Sequence, residues 1–171
     1  MPEQSVDTVS HDLIRTQQRI SAALAGVAAD QDWRPAAGAW SFRYIAAHLA
    51  VTEEECFAAR LNRLIEEDNP QFEYYDHAGR DFDGHDLLEA LATWKRQREI
   101  ILGAVSRLSE HDLQRAGRHA VYGEMKVIDL LQLMRDHDQE HEAELQILIE
   151  QHHAAQAGKT AQSEGPNERT A

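Results

Sequence analysis

Along residues 130–148, LLQLMRDHDQEHEAELQIL, positions 130, 134, 137, 141, 145 and 148 fall on one side of a helix of about 3.6 residues per turn. Four of them are Leu130, Met134, Leu145 and Leu148, and the other two are His137 and His141. An amphipathic helix turns such a row toward the interior, so two imidazoles are carried inward with it. The chain must therefore build a body that covers this row and satisfies both rings.

The same period recurs upstream. Val6, Val9, Leu13, Ile20, Leu24 and Val27 predict a helix over roughly 5–28. Ile45, His48, Leu49, Thr52 and Cys56 mark the inward stripe of a second, opened by Ser41 as N-cap and stopped near 67 by Asn69 and Pro70. A third, over roughly 85–108, is expected to bury Leu88, Leu91, Trp94, Ile101, Val105 and Leu108, and a fourth spans roughly 127–155. Arg98 stands in the third stripe where an apolar residue is expected. Its long stem favours snorkelling to solvent, and holding an anionic substrate group is the alternative.

The intervening stretches carry helix breakers. Pro35 and Gly38 make the first a loop, pinned to the body by Trp33 and Trp40. The second, NPQFEYYDHAGRDFDG at 69–84, holds Phe72, Tyr74, Tyr75 and Phe82, which are expected to seal one end of the core, with a substrate lid as the alternative. The third, 109–126, reads as an irregular connection in which His119 and Tyr122 are either solvated or at the rim of a site. No strand is predicted. The pattern implies one all-α domain over residues 1–155, a four-helix bundle, followed by a polar tail at 156–171 that is expected to be disordered.

Charge narrows the partners. A formal net charge of -13, with Lys and Arg scattered among acids, argues against nucleic acid and against anionic membranes. No apolar run approaches the roughly 18 residues of a membrane span and no secretory leader is evident, so a cytoplasmic location is expected. Cys56, the single cysteine, excludes an intrachain disulfide.

The chemistry rests on a third imidazole. His48 lies in the inward stripe of the second helix, and the i, i+4 spacing of His137 and His141 sets those rings about 6 Å apart along the axis. Three buried imidazoles without partners would cost about 1–3 kcal/mol for each unsatisfied group, a cost that a shared cation removes. Neutral imidazole suits zinc or nickel. Three histidines hydrogen-bonded separately in the interior are the alternative. Thr52, Asp138 and Glu144 flank the rings and are candidates to accept their second N–H protons, although Asp138 and Glu144 are expected at the surface of an acid-rich helix. Cys56, about 12 Å along the helix from His48, reads as a small core residue. A site with only three protein ligands keeps an open position, where water could ionise or a substrate thiol could bind as thiolate.

WRPAAGAWSFRYIAAHLAVTEE from Trp33, with His48, and the long stretch from Trp94 that closes in His137, Asp138 and His141 resemble the DinB superfamily (DinB/YfiT-like). The likeness covers roughly residues 10–152. It implies a four-helix bundle, a divalent metal held by His48, His137 and His141, and frequent homodimers. It also implies an enzyme like the family's transferases and isomerases that use a low-molecular-weight thiol such as bacillithiol or mycothiol, with the metal activating the thiolate. The expected function is such a metal-dependent, thiol-using transferase or a related metal-assisted hydrolase, with Arg98, His119 or Tyr122 near the substrate. A non-catalytic bundle that binds a metal or a small ligand is the alternative.

Overall fold

The computed structural model describes residues 5–163, apart from residue 78. Its helices are α1 (Val6–Gly26), α2 (Phe42–Thr52), α3 (Ala59–Glu66), α4 (Leu87–Val105), the short α5 (Glu110–Leu113) and α6 (Val127–Ser163). A π-helical segment, Glu53–Ala58, joins α2 to α3, so that the two form one rod of the bundle. Side-chain caps set the starts: the Ser5 hydroxyl accepts from the Thr8 N–H, Ser41 from Tyr44, and Asp86 from Leu88 and Glu89. α1 packs chiefly on α6 and α2 chiefly on α4, while α1 also meets α4, so the first two rods are not primary neighbours. The fold is the expected four-helix bundle.

Two differences from the sequence expectation stand out. The 109–126 connection is ordered, with β2 (Ala116–His119) and β3 (Gly123–Lys126) antiparallel and β1 (Gln71–Phe72) parallel to β2. Strands this short carry too few alternating residues to show a period. Gly117 makes the pairing possible: a Cβ there would lie 2.6 Å from Phe72 Cε2 and 2.7 Å from the Pro70 carbonyl oxygen. The second difference is that α6 continues to Ser163 rather than ending near 155. The remaining tail lies outside the described residues.

The core is two apolar clusters, one around Ile20, Leu49, Trp94 and Leu145, the other around Leu13, Phe57, Ile101 and Met134. Between them each rod contributes buried polar residues at one level: Thr16 and Gln17 from α1, His48, Thr52 and Glu53 from the second rod, Arg98 from α4, and Asp138 and His141 from α6. A polar belt therefore crosses the bundle, and burial of such groups is tolerable only if each finds a partner.

Candidate metal centre

Three imidazoles converge at one edge of the belt. His48 Nε2 lies 3.1 Å from His137 Nε2, and His141 Nε2 lies 3.2 Å from the same atom. The three nitrogens all lie within 4.8 Å of one another. His48 and His141 are buried and His137 is partly exposed. Ligand bonds of about 2.1 Å at a tetrahedral or octahedral ion place neighbouring nitrogens roughly 3.0–3.4 Å apart, which the two short separations meet.

The far side of each ring decides which nitrogen is free. His141 Nδ1 is 3.0 Å from Glu144 Oε2, and His48 Nδ1 is 3.4 Å from Thr52 Oγ1. A carboxylate or hydroxyl oxygen there accepts the Nδ1 proton and leaves the Nε2 lone pair pointing at the shared centre. His137 Nδ1 is buried with no hydrogen-bond partner among the described residues, and Asp138 Oδ1 lies 3.8 Å away, likewise unengaged. Three lone pairs aimed at one point repel unless a cation stands among them, so the donor set fits a divalent metal. Burial pushes the His48 pKa down to about 2, helped by the charges that His141, His137 and His77 would carry, and burial also lowers that of His141. Both rings are thus neutral near pH 7, the form that ligates.

Behind the histidines lies a buried ion cluster. Arg98, 1% exposed, donates Nε to Glu53 Oε1 at 2.5 Å and Nη2 to Glu53 Oε2 at 2.9 Å, and the same Nη2 is 2.9 Å from Asp138 Oδ2. Its Nη1 donates to the Leu13 carbonyl, and Trp94 Nε1 donates to Glu53. Burial pulls the Arg98 pKa down, but Asp138 and Glu53 raise it more, while burial raises that of Glu53 against the pull of Arg98. Arg98 does not snorkel and Asp138 is not at the surface. The guanidinium is held by two carboxylates in the belt, and Asp138 stands between it and His137.

The remaining expected residues divide. Glu144 is exposed as expected yet still reaches His141. His119 is buried on β2 rather than solvated, and Tyr122 is exposed with its ring 4.6 Å from that of His119. In the 69–84 stretch Phe72 and Phe82 are buried and Tyr74 is exposed, so part of it seals the core. The same stretch sends His77 to within 4.1 Å of His48, ring to ring, and Trp40 stacks on His141 at 5.7 Å. His77, Glu53 and Arg60 are site residues that periodicity missed. Glu53 follows Thr52 directly and lies four residues after buried Leu49, so its burial continues the inward face of the second rod, where a glutamate is not expected without a partner. Cys56 is buried, its pKa pushed up to about 11 by burial, and stands apart from the three histidines.

Two cavities open on the histidines. The larger, about 530 Å³, is walled by Trp40, Ile45 and Leu148, with Glu140 and Glu144 at its rim. The smaller, about 160 Å³, is lined by Cys56, Phe57, Arg60, His119 and Tyr122. His48, His77 and His137 line both. No helix among the described residues is long and apolar enough to cross a membrane.

A structural comparison places the fold. YfiT from Bacillus subtilis, described as a probable metal-dependent hydrolase with an unusual four-helix bundle topology, superposes with a TM-score of 0.68 at 18% identity, covering 86% of this chain and 89% of that one. Comparison with curated proteins gives no match. The family model of the DinB superfamily matches residues 12–145, the span that contains all three histidines, and the chain belongs to that superfamily.

Proposed function

We propose that the protein is a metal-dependent enzyme in which His48, His137 and His141 hold one divalent ion, zinc or nickel, through Nε2. The observation that carries this reading is the convergence of three Nε2 atoms whose partner nitrogens face an acceptor or, for His137, an unengaged carboxylate oxygen. Such an ion, when bound, would lower the pKa of a coordinated water or thiol to near neutrality. Thr52 and Glu144 fix the tautomers of His48 and His141 and so the direction of their lone pairs. Trp40, Ile45 and Leu148 give one side of the centre an apolar wall that would exclude bulk water around a substrate.

The nucleophile would be water, giving a hydrolase as the name of the YfiT neighbour describes that protein, or a low-molecular-weight thiol, giving a transferase. Homodimer formation and a cytoplasmic location belong to the same proposal. The rival reading, an ion that only staples the bundle, needs a saturated coordination sphere. Two cavities bordering the same histidines speak for an open one.

The test is elemental analysis of untagged protein beside the triple variant of His48, His137 and His141, each to Ala. About one zinc or nickel per chain in the first and none in the second is the expected result. Failure of the wild-type chain to take up either ion, even on reconstitution, would remove the enzyme reading.

A further inference from the structure

Two arginines are buried among the described residues, and they are treated differently. Arg98 is neutralised by Glu53 and Asp138. Arg60, 8% exposed on α3, has no ion pair with a carboxylate among the described residues; of the three acids of the preceding π-helical segment Glu53 is committed to Arg98, Glu55 to Arg80, and Glu54 is exposed. Its Nη2 donates to the Glu73 carbonyl at 2.7 Å and faces His119 Nε2 at 3.1 Å. A buried guanidinium without a counterion is costly and is retained where an anion is to be met.

His119 sharpens the point. Its Nδ1 accepts from the backbone N–H groups of Val121 at 3.1 Å and Tyr122 at 3.3 Å, so the ring proton is on Nε2. Nε2–H then faces the Arg60 Nη2 donor, two donors with no acceptor between them. Both line the smaller cavity, whose wall also includes His48 and His137; Asp76 lines it from the exposed loop side. One oxyanion would accept from both donors and offset the Arg60 charge. A monoanion is indicated because no lysine and no second arginine lines this cavity, and the planar fork of a guanidinium matches a carboxylate.

We propose that Arg60 and His119 form an anchoring site for the carboxylate of a small substrate whose reacting end lies at the three histidines. The anchor stands on its own geometry, and only the position of the reacting end rests on the metal reading. The test uses the full chain without a tag, with zinc and separately with chelator, and propionate, propionamide and inorganic phosphate as probes. Readouts are the thermal midpoint and the 15N resonance of the Arg60 Nε–H group. Propionate should raise the midpoint and shift that resonance with and without zinc, and also in His137→Ala, while propionamide does neither.

By the midpoint titration, Arg60→Gln should bind propionate about 10-fold more weakly or worse, and Arg60→Lys, a second variant should Gln fold poorly, should keep part of the response. Equal propionate binding by wild type and Arg60→Gln, or no response in wild type, overturns the anchor. A phosphate response stronger than that to propionate overturns the carboxylate assignment. Wild-type protein that takes up neither zinc nor nickel on reconstitution yet answers to propionate through Arg60 refutes the metal reading alone; metal uptake without any propionate response refutes the anchor alone.

Discussion

His137 Nδ1 lies 3.8 Å from Asp138 Oδ1, and neither atom has a hydrogen-bond partner among the described residues. A small rotation of the imidazole would close this gap, and a carboxylate on the far nitrogen of a ligating histidine raises its basicity. Asp138 also faces Arg98, so the two roles must be separated. Asp138→Asn should weaken zinc or nickel binding about 10–100-fold in competition with a chromophoric chelator. Unchanged affinity would mean that Asp138 serves the arginine alone.

The Arg98 cluster predicts an asymmetry. Arg98→Met strands two buried carboxylates and should cost about 3–5 kcal/mol in urea unfolding. Replacing Glu53, Arg98 and Asp138 together by Leu, Met and Leu removes every charge of the cluster and should recover most of that loss, because burying charges is itself expensive. If the triple variant is no more stable than Arg98→Met, the cluster contributes through shape and hydrogen bonding rather than charge balance.

Much of this arrangement was legible from periodicity. His48, His137 and His141 showed because each interrupts an otherwise apolar row, and a row predicts direction without knowledge of the neighbour. Arg98 broke its row in the same way, but its partners could not be read: Asp138 and Glu53 lie on other rods, and a row predicts direction without naming what it meets. The π-helical segment, the short strands and the loop residue His77 share one property. Each is placed by tertiary contact over too few residues to leave a repeating pattern, and the inward turn of His77 toward His48 exists only once the 69–84 stretch is laid over the bundle.

The histidines make stability depend on pH in a stated direction. Burial lowers the folded-state pKa of His48 to about 2 and lowers that of His141, against an ordinary value of about 6.5 in the unfolded chain. Neutral rings are therefore favoured by folding, and their contribution is present above about pH 6.5 and is lost as pH falls toward the folded-state values. Metal-free protein should show a flat urea midpoint from pH 8 to about 7 and a falling one below. His48→Phe should flatten the acid limb; an unchanged limb in that variant would assign the loss to other groups.

Gly117 ties the hairpin to the smaller cavity. Its missing side chain lets β2 lie against Pro70 and Phe72, where Arg118 N–H donates to the Pro70 carbonyl at 2.8 Å and Ala120 N–H to that of Phe72 at 2.9 Å. Gly117→Ala places a methyl group 2.7 Å from the Pro70 carbonyl oxygen, a backbone atom that cannot move without breaking those bonds. The expected loss is about 1–3 kcal/mol of unfolding free energy, as for other overpacked sites. The displaced strand carries His119 and adjoins Glu73, whose carbonyl holds Arg60, whereas the three histidines sit on α2 and α6. Gly117→Ala should therefore retain about one metal ion per chain by elemental analysis while losing the propionate response. Loss of the metal in this variant would show that the hairpin supports the whole centre rather than one wall of it.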